Sequence, residues 1–297
     1  MQVWINGKFV EREAATVSAF DAGIQHGIGL FETMSAHHGT VFRAEAHTRR
    51  LAESARQLLL TENLRADPLT EAVERSVQRN GLERARVRLT VTGGDLGLPV
   101  AAERKRLDPT LIIDVQPPTA YPDAFFEHGV MVIVSEARLN PMSPMAGHKT
   151  LNYWPRIHAL QRAAARKAAE SIWFTVHNHL AGGSVSNVFL AREGKLLTPW
   201  ARGESAEEPG AAAVLPGITR AAILELCGAM GIKTQRRTLD IDDVLSADEA
   251  FVTNSGWGVL PVVAVEREKI GSGQVGPLTA RLRQAWLDLV ERETNPA

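Results

Sequence analysis

A chain of 297 residues with 44% hydrophobic and 23% charged residues has ordinary globular composition and room for two modest domains. Thirty-three basic residues against 34 acidic ones leave a formal charge of −1, so the chain as a whole lacks the electrostatic footprint of a nucleic-acid or anionic-membrane binder. The single cysteine, Cys227, excludes an intramolecular disulfide, and its place in the apolar run from Ala221 reads as a small buried hydrophobe.

The opening, Met1 to Lys8, lacks the basic and long apolar regions of a signal peptide, and no apolar run approaches the roughly 20 residues that cross a bilayer. A cytoplasmic protein without a membrane partner is expected. Val3 to Ile5 and Lys8 to Val10 predict a hairpin, because Asn6-Gly7 favours the primed turn that matches strand twist. Phe31 to Ala36 and Thr40 to Arg43 predict a second hairpin around His38-Gly39. Helices follow at about 45–60, with Leu51, Ala55, Leu58 and Leu59 on one face, and at 68–80, ended by Gly81. Alternation of Val87, Leu89 and Val91 with Arg86, Arg88 and Thr90 gives a strand over Ala85 to Thr92, and Thr110 to Val115 gives another.

The three prolines in Gln116 to Pro122 cannot continue a helix or a central strand. They divide the chain into an N-terminal α+β domain at 1–117, a linker at 118–122 and a C-terminal domain at 123–297. In the second half the pattern predicts a strand at Val130 to Val134, a helix over Asn152 to Glu170, and a hairpin from Ser171 to Val176 into Val185 to Ala191. A helix at Thr219 to Met230, strands at 233–237, 250–253 and 259–263, and a last helix from Pro277 to Glu293 complete it. Ala201 to Ala213 has too few large apolar residues for a core and reads as a surface loop, or less readily as a lid.

Four fragments could carry chemistry. Lys149 stands just before a helix and after a Pro-rich turn, and such an amine becomes a nucleophile if burial or positive neighbours strip its proton; most lysines are simply solvated. Leu215-Pro216-Gly217-Ile218-Thr219-Arg220 opens a helix whose free N–H groups and Thr219 hydroxyl, at or near the N-cap, could hold a phosphate, although capped helices generally look like this. Thr253-Asn254-Ser255-Gly256 follows a strand and could add donors, or be an ordinary turn. Arg50 sits beside the apolar seam of its helix, from which it could fork onto a phosphate or lie in solvent.

In this order and at this spacing the fragments resemble the class IV aminotransferases, a family that includes branched-chain and D-amino acid aminotransferases and aminodeoxychorismate lyases. The likeness runs through Gly27 to Thr33, His47 and Arg50, His148 to Asn152, Ser184 to Phe189, Leu215 to Arg220 and Thr253 to Pro261. It implies the two-domain α+β/α/β architecture of pyridoxal-phosphate fold type IV, as in D-amino acid aminotransferase. It also implies a homodimer with an active site between the domains. Lys149 would carry pyridoxal 5′-phosphate as a Schiff base and then act as the base, with Thr33 near the substrate α-carbon. Arg50, Ile218, Thr219 and Ser255 would bind the phosphate, and Ser184, Ser186, Asn187, Gly217 and Asn254 would complete the cofactor site. His26, Phe31, Tyr153 and Trp257 would line the pocket for an amino acid and a keto acid. Transamination of a small amino acid is the implied reaction; the Thr253-Asn254-Ser255 run and Thr33 also suit a lyase that releases pyruvate.

One departure bears on chemistry. The family usually carries a Glu at the position of Gly182, a carboxylate that keeps the cofactor's pyridine nitrogen protonated. Three outcomes are open: Ser184, His177 or His179 meets that nitrogen instead, the reaction needs less electron withdrawal, or catalysis is weakened. Ile28 and His26 also depart from the family's usual Asp and aromatic residue.

Overall fold

The computed structural model describes residues 1–95, 108–204 and 213–295. In chain order the elements are β1 (Gln2–Ile5), β2 (Lys8–Glu11), α1 (Ala22–His26), β3 (Gly29–His37), β4 (Thr40–Val41), α2 (Ala44–Gln57), α3 (Ala66–Asn80), β5 (Ala85–Thr92) and β6 (Leu111–Gln116). There follow α4 (Ala124–Glu127), β7 (Val130–Leu139), α5 (Trp154–Ala165), β8 (Glu170–Thr175), β9 (Leu180–Gly183), β10 (Asn187–Arg192) and β11 (Lys195–Thr198). The chain closes with α6 (Ile218–Ala229), β12 (Thr234–Arg236), α7 (Ile241–Leu245), β13 (Glu249–Asn254), β14 (Gly258–Val265), β15 (Glu268–Lys269) and α8 (Pro277–Thr294). Two compact units result: Met1–Thr119 with His148–Asn152 and Val290–Ala297, and Ala120–Gly147 with Tyr153–Leu289.

The first unit is a sheet in the order β2-β1-β6-β5-β3-β4. Period-two alternation in β5 sends Ala85, Val87, Leu89 and Val91 into the core, where they meet Leu51 and Ala55 of α2 and Leu69, Val73 and Val77 of α3. Each fully buried Val or Leu contributes about 1.5–3 kcal/mol. The opposite face of β5 carries Arg86, Arg88 and Thr90. Gly81 closes α3 in the left-handed region, as its sequence position predicts.

The second unit is built on a mixed sheet, β12-β11-β10-β13-β14-β7-β8-β9, with β15 on β14. Parallel pairing joins β14 to β7 and β7 to β8, and the remaining neighbours are antiparallel apart from β11 and β12. Its core runs through Val130, Ile172, Phe174, Val188, Leu190, Val252 and Leu260.

Several sequence expectations change here. The helix expected to Glu170 ends at Ala165, because Lys167 takes a positive φ and Glu170 already belongs to β8. Residues 171–176 do not form a hairpin with 185–191: β8 pairs with the short β9, while β10 pairs with β11 and β13. A four-residue strand with two glycines, Leu180–Gly183, carries little strand signal of its own. Gly217 is the N-cap of α6, no side chain caps it, and Thr219 stands near the cap at the second helical position. The five-residue α1 and α7 are too short to show a helical period. Most of the expected loop at 201–213 lies outside the described residues. Cys227 is fully buried, and burial pushes its thiol up to about 11. No described helix is long and apolar enough to cross a membrane.

Candidate active site

In the first unit, residues 149–151 are laid along β3 as a further extended segment. The Phe31 amide donates to the Lys149 carbonyl at 3.0 Å, and the Leu151 amide donates to the Gly29 carbonyl at 2.9 Å. This fixes the Lys149 backbone and puts its Nζ 4.3 Å from the centroid of the Phe31 ring. The Arg88 guanidinium carbon lies 3.9 Å from the same centroid. Alternation along β3 places Thr33 on the face of Phe31, opposite Arg88 in register.

Glu32 points the other way. Its carboxylate is almost fully buried and accepts from Arg50, at 2.8 Å from Nε and 2.5 Å from Nη2, and from His47 Nδ1 at 2.8 Å. Burial would raise the Glu32 carboxyl, but Arg50 and His47 outweigh it and hold it down to about 2. His47 is shifted down by burial and by the charges of Arg50 and Lys149, against an opposing pull from Glu32. An ionised carboxylate only accepts, so Nδ1 of His47 carries the proton of this bond. Arg50 is buried rather than solvated, and its Nε–Nη2 edge forks onto a carboxylate of this chain where the sequence suggested a phosphate. His26 is exposed at the end of α1, and Phe31 is buried.

In the second unit three turns come together. Asn187 donates from Nδ2 to the Leu215 carbonyl at 2.9 Å, and its Oδ1 packs so closely on Gly217 that a Cβ there would lie 2.0 Å away. Only glycine fits this approach, which fixes the start of α6. The N–H groups of Ile218 and Thr219 are then two of the unpaired donors that begin any helix, uncapped by a side chain. Asn187 lies opposite Thr253 in the β10–β13 register, and Asn254 donates to the Val185 carbonyl at 3.3 Å while its Oδ1 receives the Gly256 and Trp257 amides. The Thr253 hydroxyl is buried without a partner among the described residues, an unsatisfied polar group beside an uncapped helix start. An anion with several acceptor oxygens is what such a set lacks. These residues fit a phosphate.

The turn between β9 and β10 is organised by Glu170, a residue that sequence reading left inside a helix. Its fully buried carboxylate receives the Ser171, Ser184 and Val185 amides at 2.8, 3.1 and 3.2 Å and the Ser186 hydroxyl at 2.8 Å. Burial raises its pKa, and these four donors pull it back only in part. The Ser184 hydroxyl, itself buried, accepts from Trp173 Nε1 at 2.8 Å, and Tyr153 donates to the Ser184 carbonyl at 2.8 Å. His177 and His179 are exposed on the turn between β8 and β9. Trp257 belongs to the core, edge-on to Tyr121.

Two further residues escaped sequence reading. Arg220 is buried and forks onto Glu204, at 2.7 and 2.8 Å, while donating to the Pro199 carbonyl, so it anchors α6. Arg156 of α5 donates from Nη1 to the carbonyls of Gly183, at 2.8 Å, and Ser184, at 3.1 Å. Their partners lie 16 to 28 residues away, which no local period reveals.

Two mixed α/β units, one holding a lysine against a sheet face and the other an uncapped helix start beside a buried hydroxyl, define a protein of pyridoxal-phosphate fold type IV. Residues 29–265 match the family model "Amino-transferase class IV", and the chain belongs to that family. It is 31% identical to the branched-chain-amino-acid aminotransferase of Pseudomonas aeruginosa, across 98% of this chain and 94% of that protein. The T.th. branched-chain amino acid aminotransferase, solved with pyridoxamine 5′-phosphate, superposes with a TM-score of 0.88 at 26% identity, covering 99% of this chain and 95% of that one. A Legionella pneumophila protein named "Putative 4-amino-4-deoxychorismate lyase" gives 0.82 at 26% identity, covering 95% and 97%. Class IV aminotransferases depend on pyridoxal phosphate, and this chain is an enzyme of that kind.

Proposed function

We propose that this aminotransferase holds pyridoxal 5′-phosphate through Lys149 and moves an amino group between a small, branched apolar amino acid and a 2-oxo acid. The observation that carries the reading is Lys149 itself, its carbonyl accepting from the Phe31 amide, its neighbour Leu151 bonded to the Gly29 carbonyl, and its Nζ set 4.3 Å from the Phe31 ring. The substrate class follows the branched-chain enzymes to which the chain is similar. A homodimer in the cytoplasm accompanies this reading.

When bound, the cofactor supplies an aldehyde that captures amines and a ring that accepts electron density. The phosphate would be held by the Ile218 and Thr219 amides and the Thr219 and Ser255 hydroxyls. Gly217, Ser186, Asn187 and Asn254 shape those turns rather than reach a reactant. Lys149 Nζ would take the substrate α-proton, and burial shifts the nearby His47 down, which disfavours a competing positive charge there. Thr33 and Phe31 share the β3 face from which Lys149 acts.

The test is a half-reaction. Cofactor-loaded protein mixed with L-leucine or L-valine should lose its yellow absorbance as pyridoxamine phosphate forms, and a 2-oxo acid should restore it. No spectral change with any amino acid would overturn the proposal. A second reading, a pyruvate-releasing lyase, is favoured by the Thr253-Asn254-Ser255 turn and the Legionella likeness. It requires pyruvate to appear without a 2-oxo acid acceptor, and strict acceptor dependence would dismiss it.

A further inference from the structure

A carboxylate side chain at position 182 would be strained in this backbone. Gly182 has φ +101°, a region that side chains rarely enter, and a Cβ there would stand 3.0 Å from the Ser186 carbonyl, which is already engaged by the Gly183 amide at 2.8 Å. The one carboxylate hydrogen-bonded to this turn among the described residues, Glu170, is buried and turned inward onto four donors. The charged group on the turn's carbonyl side is a cation. Arg156 is half-buried, with Nη1 on the Gly183 and Ser184 carbonyls and its guanidinium carbon 5.5 Å from the Trp173 ring centroid. Its Nε and Nη2 donors have no hydrogen-bond acceptor among the described residues.

We infer that Arg156 is the group this chain presents to the cofactor's pyridine nitrogen, donating a hydrogen bond to its lone pair and so keeping it unprotonated. The inference rests on the proposed pyridoxal-phosphate function and on the family resemblance, which implies that the residue at position 182 stands at that nitrogen. A guanidinium never gives up its proton at accessible pH and can only donate, so it bonds the ring nitrogen only while that nitrogen keeps its lone pair; a protonated ring beside it would set two cations together. Here Arg156 acts opposite in sign to a carboxylate. The ring is then a weaker electron sink, and proton removal depends more on Lys149.

The experiment is NMR of the holoenzyme loaded with cofactor isotope-labelled at the ring nitrogen, followed through neutral pH in wild type and in Arg156→Met. Tyr153 and Trp173 still brace the turn in the variant. The wild-type nitrogen should resonate at the unprotonated position with no titration, and Arg156→Met should restore a titration and move the resonance toward the protonated position. A protonated nitrogen in wild type overturns the inference without recourse to any variant. An unprotonated nitrogen unaltered by Arg156→Met overturns it also. Failure of the protein to take up the cofactor would instead strike at the underlying reading, and absorbance reports that separately.

Discussion

Glu32→Gln removes the charge from a near-isosteric side chain while leaving Arg50 buried beside it. Arg50 forks onto Glu32 at 2.8 and 2.5 Å with both groups nearly sealed from water. Withdrawing one partner from such a pair costs about 3–5 kcal/mol, because the remaining charge stays desolvated. Linkage gives a similar figure: a fall from 4.5 to about 2 is worth about 3 kcal/mol at about 1.4 kcal/mol per unit. The sign follows from the direction. A carboxyl held low in the folded state stabilises fully above 4.5, and that stability drains away as pH falls through about 2. His47, shifted down in the folded protein, acts in the same sense by favouring the unfolded state once pH drops below 6.5. Urea unfolding of wild type and variant should therefore differ by about 3 kcal/mol or more at neutral pH, with the gap closing in strong acid. A neutral-pH difference below about 1 kcal/mol, typical of an exposed pair, would refute the claim that this network is a buried, mutually dependent unit.

Two other substitutions probe the turns. Gly217→Ala drives a methyl to within 2.0 Å of Asn187 Oδ1 and should displace the start of α6, weakening cofactor affinity in an absorbance titration by about tenfold or more, equivalent to about 1.4 kcal/mol; unchanged affinity would remove α6 from the phosphate site. Gly182→Glu forces a side chain into a positive-φ position and should lower stability in thermal melts by about 1–3 kcal/mol; a variant as stable as wild type would show that the turn readily accepts a carboxylate.

The parts legible in the sequence are those governed by local period and turn chemistry. The alternation at 85–92 gives β5, Asn6-Gly7 gives the first hairpin, and Gly81 ends α3. The place of Lys149 emerges from motif order, and the structure supplies the reason that its backbone is fixed. What remained hidden depends on partners brought together by strand register. Nothing near Glu32 announces that its carboxylate meets Arg50 eighteen residues later, or near Arg156 that its acceptors are the carbonyls of Gly183 and Ser184. Glu170 was hidden by its neighbours: the Ala-rich stretch before it reads as continuing helix, whereas the left-handed Lys167 and the pull of β7 turn it into a strand. Gly182 was legible as a departure, and only its φ shows that a side chain there would be strained.

The central claim is that Lys149 carries the cofactor. Holoenzyme reduced with borohydride, digested and sequenced by mass spectrometry should show one pyridoxyl adduct, on the peptide containing Lys149, and Lys149→Ala protein should show none. A pyridoxyl group on another lysine, or an undiminished adduct in Lys149→Ala, would contradict it.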